Sequence, residues 1–196
     1  MFDSSNIPFR QSVNYRPERH QTCSLIVLHY TASGALEPTV DYLCKTNPAK
    51  ASAHYVVGRT AAEGVAQLVN LDDVAYHAGE SHYPDAKGVT KDGVSFFSVG
   101  IEICNWGPLT LDPDGYFENC YRQRVTGRPA IKIGDGWWEK FTDFQYAAVA
   151  ELCRLIMAKF PLITVERIVG HSDVSPGRKI DPGPAWDWDR FRDLIK

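Results

Sequence analysis

Apolar and polar positions change their period several times along the 196 residues, and each change marks an element. Residues 25–28 (Leu-Ile-Val-Leu) are an unbroken apolar run, the pattern of a central strand covered on both faces. That run carries His29 and Tyr30 to its C-terminal end, and residues 31–34 follow as a turn. Residues 38–46 put Val40, Leu43 and Cys44 on one helical face, and Asn47-Pro48 ends the helix. Residues 52–59 and 65–69 read as two strands joined at 60–64, a hairpin. His77 falls in the next loop, residues 80–96 read as a long exposed polar loop, and residues 98–104 are a further apolar strand interrupted by Glu102.

Residues 105–138 lose the pattern among many glycines and prolines. Short strands are expected there at 116–117 and 130–133, as an insertion on the rim of the domain. Thr142 and Gln145 form a capping box for a helix with Val149, Leu152, Cys153, Ile156 and Phe160 on its apolar stripe, ended by Pro161. A short strand at 167–169 feeds His171. Residues 169–186 read as a turn-rich loop, and residues 184–195 as a final helix with Trp188, Phe191 and Ile195 inward. The whole predicts one α/β domain over 1–196, a mixed central β-sheet flanked by helices, behind an irregular lead-in at 1–22.

Composition narrows the function classes. At 44% hydrophobic and 23% charged residues the chain is of ordinary globular composition, with enough apolar material for a sizeable core. A net charge of -3, from 21 basic and 24 acidic residues, removes the main reason to expect nucleic acid as a partner. No apolar run is long enough to span a bilayer, and the first 20 residues lack the apolar segment of a signal peptide. Cytoplasmic synthesis and a monomer are the expectations. Cys23, Cys44, Cys104, Cys120 and Cys153 are odd in number and lack a CxxC, which fits reduced thiols better than a disulfide framework.

Three places carry candidate chemistry. His29 closes an apolar strand, where, taken alone, a hydrogen-bonded structural histidine is a better reading than a ligand. Glu102 sits inside another strand, and either faces solvent or is buried with a raised pKa of the kind acid/base chemistry uses. The loop at 169–186 crowds His171, Asp173, Arg178, Lys179 and Asp181 between turn-forming Pro and Gly residues. Together His29, His171 and Asp181 are a His/His/carboxylate set, the three-ligand pattern of catalytic zinc with a position left for water. Convergence of these groups does not follow from the residues alone.

The blocks LIVLHYTASG, SAHYVVGR, AYHAG, SVGIEICNWG and VGHSDVSPGRKIDPGPAWDW resemble, in order and spacing, the zinc-dependent N-acetylmuramoyl-L-alanine amidases of type 2. That family includes AmpD-like enzymes, phage endolysins and peptidoglycan recognition proteins, and the resemblance covers roughly residues 24–194. It implies a peptidoglycan-recognition-protein-like fold and cleavage of the amide between N-acetylmuramic acid and the L-alanine of the stem peptide. It further implies one Zn2+ on His29, His171 and Asp181, Glu102 as catalytic base, and Lys179 as stabiliser of the tetrahedral intermediate. His54 and His77 match positions that line the substrate groove, or equally histidines that pack behind the ligands. Asn105 and Trp106 are further groove residues by the same likeness, and Trp137 and Trp138 either join them or anchor the insertion. Asp173 and Arg178 are expected to brace the turn. Implied partners are cell-wall peptidoglycan, as for a bacteriolytic endolysin released through a holin, or soluble muropeptides; a non-catalytic peptidoglycan-binding module is the other reading. Tyr30 stands where AmpD-like recycling enzymes often carry Asn, and residues 105–138 are longer than in compact members.

Overall fold

The computed structural model describes residues 6–196, so residues 1–5 of the expected lead-in lie outside it. The first half contains β1 (Tyr15–Arg16), β2 (Leu25–Tyr30), α1 (Leu36–Cys44), β3 (Tyr55–Val57), β4 (Val65–Gln67), β5 (Val74–Ala75), β6 (His82–Pro84) and β7 (Thr90–Asp92). The second contains β8 (Ser98–Ile103), β9 (Pro108–Leu111), β10 (Phe117–Glu118), β11 (Ala130–Ile133), β12 (Gly136–Glu139), α2 (Asp143–Lys159), β13 (Ile168–Gly170), α3 (His171–Val174) and α4 (Trp188–Ile195).

The central sheet has the order β13-β2-β8-β3-β4. β13, β2, β8 and β3 pair in parallel, and β4 closes one edge antiparallel to β3. This is the mixed sheet flanked by helices that the patterning predicts. Strand alternation then sorts the side chains between two faces. Ile26 and Leu28 of β2 join Val99, Ile101 and Ile103 of β8 against α2 and α4, where Leu152, Ile156, Trp186 and Phe191 complete the main core. Leu25 and Val27 point the other way, onto Phe97, Val169 and Val174. Further along that second face, α1 covers Val56, Ala66 and Leu68. His29 continues the Leu25–Val27 row, and Glu102 continues the Ser98–Gly100 row. The register pairs His29 with Glu102 directly across the two strands, so both emerge on this second face between its two apolar patches.

Several boundaries differ from the patterning. α1 begins at Leu36 rather than at residue 38, because Pro38 falls in the first turn, where a missing N–H leaves no helical bond unmade. The strand expected over 52–59 shrinks to β3, since His54 turns its ring back onto β8. Residues 80–96 are only partly an exposed loop: β6 and β7 form a hairpin, and a 3-10 turn at Val94–Phe97 buries Val94 and Phe97. The lead-in is partly regular, with β1 paired to β5 and Arg10 bonded to the Gln67 carbonyl along the sheet edge. Residues 105–138 build a four-stranded sheet, β10-β9-β12-β11, in which β9 and β12 have no apolar alternation to announce them. The turn-rich loop at 169–186 opens with the last strand residues and the one-turn helix α3.

Candidate active site

Three strand ends and one loop supply the polar groups. β2 brings His29, β8 brings Glu102, and β13 runs directly into His171 at the first position of α3. The following loop folds back so that the Asp181 carbonyl accepts from the Ser172 N–H at 3.0 Å. Glycine is required at 170, where a Cβ would lie 2.7 Å from Pro182 Cδ. Asp173 accepts from the Gly170 N–H at 2.7 Å, and Arg178 donates to the Ala78 carbonyl at 2.7 Å and the Glu80 carbonyl at 2.6 Å. Both therefore brace the turn, as expected from the sequence.

The His29, His171 and Asp181 side chains meet. His29 Nδ1 lies 2.9 Å from His171 Nδ1 and 3.0 Å from Asp181 Oδ2, and His171 Nδ1 lies 2.9 Å from the same oxygen. All three residues are buried, and together they could hold a metal ion. Their outer hydrogen bonds settle which ring nitrogens carry protons. His171 Nε2 faces the Ala78 carbonyl at 3.0 Å and must donate to it, which leaves Nδ1 as a lone pair. Ser98 Oγ donates to the Val94 carbonyl at 2.7 Å, so it accepts from His77 Nε2 at 3.0 Å. His77 Nδ1 is then an acceptor and takes the His29 Nε2 proton at 3.0 Å, which leaves His29 Nδ1 as a second lone pair. Two imidazole lone pairs and a carboxylate oxygen thus converge with no proton of their own between them. Such a nest of acceptors fits a cation, and an N2O donor set with its rings oriented from behind suits zinc.

Burial sets the electrostatics. It lowers the His29 pKa to about 4, against the bond to Asp181, which raises it. Burial works to raise the Asp181 pKa, yet its bonds to His171 and His29 hold it well below the usual carboxylate range. Glu102 is pushed well above that range, first by burial and then by the charge of Asp181, with Lys179 acting in the opposite direction. Its Oε2 is sealed from solvent and has no hydrogen-bond partner. Lys179 itself is exposed, and its positive charge reaches both Glu102 and His29.

The remaining predicted residues divide. Trp106 borders a cleft that Glu102 also lines. His77 does not line it: the ring lies against Gly100, where a Cβ would come within 2.3 Å, and it orients His29. His54 is fully buried, accepting the Gly100 N–H at 3.0 Å beside Arg19. Asn105 is also fully buried, donating to the Glu139 carbonyl and accepting from the Gly107 N–H. His77 and His54 thus sit as histidines packed behind the ligands, the second of their two readings, while Asn105, expected as a groove residue, spends its polar atoms within the protein. Trp138 packs on Gly183 of the site loop and anchors the rim sheet, and Trp137 lies against Phe117 of β10. Sequence reasoning passed over Tyr121 and Gln123 at the cleft, and Glu139 beneath it. Their only signal was a polar or aromatic residue inside a stretch without period.

A mixed sheet that gathers a buried His/His/carboxylate cluster beside a desolvated glutamate defines an α/β protein with a hydrolase-type site. Comparison with known proteins makes this specific: the chain belongs to the N-acetylmuramoyl-L-alanine amidase family (Amidase_2), whose profile matches residues 19–184. It is similar to the 1,6-anhydro-N-acetylmuramyl-L-alanine amidase AmpD of Haemophilus influenzae, with 31% identity over 192 residues, 90% of this chain and 84% of that protein. A crystal structure of a selenomethionine AmpD derivative superposes with a TM-score of 0.68 at 24% identity, covering 100% of this chain and 99% of that one. AmpDh3 of Pseudomonas aeruginosa, solved with an anhydromuramic pentapeptide, matches with a TM-score of 0.64 at 28% identity, over 99% of this chain and 66% of its own. The family shared with these proteins is that of peptidoglycan amidases.

Proposed function

We propose that this chain is a zinc-dependent N-acetylmuramoyl-L-alanine amidase whose metal is held by His29, His171 and Asp181. The observation that carries the reading is the convergence of two imidazole lone pairs and one carboxylate oxygen, 2.9–3.0 Å apart, with the ring protons all directed outward. When bound there, Zn2+ supplies Lewis acidity that polarises the scissile carbonyl and makes water acidic enough to attack near neutral pH.

The other roles belong to the chain's own residues. Glu102, with Oε2 free of any partner, takes the proton from the attacking water and hands it to the departing α-amine of L-alanine. Lys179 sets a positive charge against the oxyanion that develops on the carbonyl. His77 keeps His29 in the tautomer that presents Nδ1 inward.

Similarity to AmpD, and to AmpDh3 in complex with an anhydromuramic pentapeptide, supports soluble anhydro-muropeptides as the substrate class. An endolysin role acting on polymeric cell wall has only a shared fold behind it, at 22% identity to a Bacillus subtilis endolysin. The test compares stem peptide released by zinc-loaded protein from anhydro-muropeptide and from intact sacculi, read by mass spectrometry. One zinc per chain and turnover of the soluble fragment are expected, and Asp181→Ala should lose both. Absence of released peptide from either substrate, or full zinc content in Asp181→Ala, refutes the assignment.

A further inference from the structure

Two adjacent residues reach both histidines of the cluster from behind. The His77 ring accepts the His29 Nε2 proton at 3.0 Å, and the Ala78 carbonyl accepts the His171 Nε2 proton, also at 3.0 Å. Each contact is anchored separately. The Ala78 N–H donates to Ser95 Oγ at 3.0 Å, and Arg178 donates to the Ala78 carbonyl at 2.7 Å. The His77 ring is held instead by Ser98, whose Oγ accepts the Nε2 proton at 3.0 Å. Both serines are buried, Ser95 in the 3-10 turn at Val94–Phe97 and Ser98 as the first residue of β8.

Direction enters at Ser98. Its hydroxyl donates to the Val94 carbonyl at 2.7 Å, an oxygen that has no proton to give back. Ser98 Oγ therefore accepts from His77 Nε2, which leaves His77 Nδ1 to accept from His29. One face of β8 carries the parts in order: Ser98, then Gly100, where a Cβ would lie 2.3 Å from the His77 ring, then Glu102. Reversing the relay has a definite consequence. A proton on His77 Nδ1 is donated to His29 Nε2, and the His29 proton then sits on Nδ1, 3.0 Å from Asp181 Oδ2 and inside the cluster. Asp181 accepts it there, so the reversed relay is a real competitor in metal-free protein. That proton occupies the position a cation needs.

Resting on the metal reading above, we propose that Ser98 is a positioning residue for the zinc site: acting through His77, it keeps the proton of neutral His29 on Nε2 and leaves Nδ1 open to the metal. No charge changes in this step, only the choice between two tautomers of the ring. His171 takes its orientation from Ala78, so it lies outside the relay.

The test is heteronuclear NMR of the ring nitrogens in metal-free protein near neutral pH, with zinc affinity measured by competition against a chelator. The unaltered chain should carry its His29 and His77 protons on Nε2. Ser98→Ala should move the His29 proton toward Nδ1, leave His171 as it was, and weaken zinc binding about 10-fold or more. An unchanged His29 tautomer, or His29 and His171 disturbed alike, reduces Ser98 to a packing role and overturns the proposal. So does a switched tautomer with unaltered zinc affinity. Should Ser98→Ala fail to fold, the unaltered chain decides, since a His29 proton found on Nδ1 there refutes the relay. If the unaltered chain binds no zinc the amidase reading fails, and the tautomers alone then decide whether Ser98 sets the His29 ring.

Discussion

Glu102 and His54 are polar residues one strand apart, the first partly exposed at the cleft and the second fully buried, and they do different things because of what faces each of them. Glu102 has an unpartnered oxygen beside a ligand cluster, so replacing it removes proton transfer without touching the metal donors. Glu102→Gln should retain one zinc per chain and lose about 10²–10⁴-fold in kcat; unchanged turnover eliminates it as the base. His54 instead has both nitrogens facing protein groups, and burial followed by the Arg19 charge lowers its pKa from 6.5 to about 3. The folded state therefore favours the neutral ring, and the unfolded chain binds the extra proton as pH falls. Stability from this residue is fully present above about pH 6.5 and declines toward pH 3, by at most about 1.4 kcal/mol per pH unit. Urea unfolding of the metal-free protein between pH 7.5 and 5 should show acid destabilisation to which buried His29 and His77 also contribute, and His54→Gln should make the slope shallower. An unaltered slope assigns the acid sensitivity to other groups.

Elements are positioned by a few contacts that sequence patterns foresee well when they are local. The capping box of α2 is one: the Thr142 hydroxyl accepts the Gln145 N–H at 3.2 Å and donates to the Arg59 carbonyl at 2.7 Å, tying the helix to the end of the β3 segment. Thr142→Ala should lower stability by about 1–2 kcal/mol with little effect on kcat; a stability change indistinguishable from zero contradicts the cap as an anchor. Strand β8 depends on a contact that no local pattern announces. Gly100 leaves room for the His77 ring, which in turn aims His29, so β8 acts through a missing side chain as much as through Glu102.

Across the molecule, one buried carboxylate joins the rim sheet to the central domain. Glu139 of β12 is fully buried, pairs with Arg59 beyond β3 and with Arg128 at 3.2 Å, and accepts the Trp106 N–H. Arg128 also donates to the Gly34 carbonyl in the turn before α1. Glu139→Ala strands two guanidinium groups around a buried site and should cost about 3–5 kcal/mol. It should also raise KM more than it lowers kcat, because Trp106 loses its support while the ligand cluster is untouched. Calorimetry and steady-state kinetics together test this, and a change confined to kcat contradicts it.

Much of this architecture is written in short-range patterns. The apolar run at 25–28, the interrupted strand at 98–104 and the capping box at 142–145 depend on side chains adjacent or one turn apart, so periodicity reveals them. His29, Glu102, His171, Lys179 and Asp181 were legible for a related reason: each is polar where its element demands an apolar or turn residue, and each lies in a family block. Of the rim sheet only the strands near 116–117 and 130–133 were legible; β9 and β12 escaped because they are short and half-exposed, so neither face imposes an alternation. Which of the singled-out polar groups face a ligand, and which face only the protein, was left to the tertiary structure. His77 and His54 carry the same imidazole as His29, and only the packing of three separate segments around Gly100 places one at the cluster, one behind it and one on the Gly100 N–H. Chain order fixes what each residue can do chemically. Long-range strand pairing decides which lone pairs are brought to face one another.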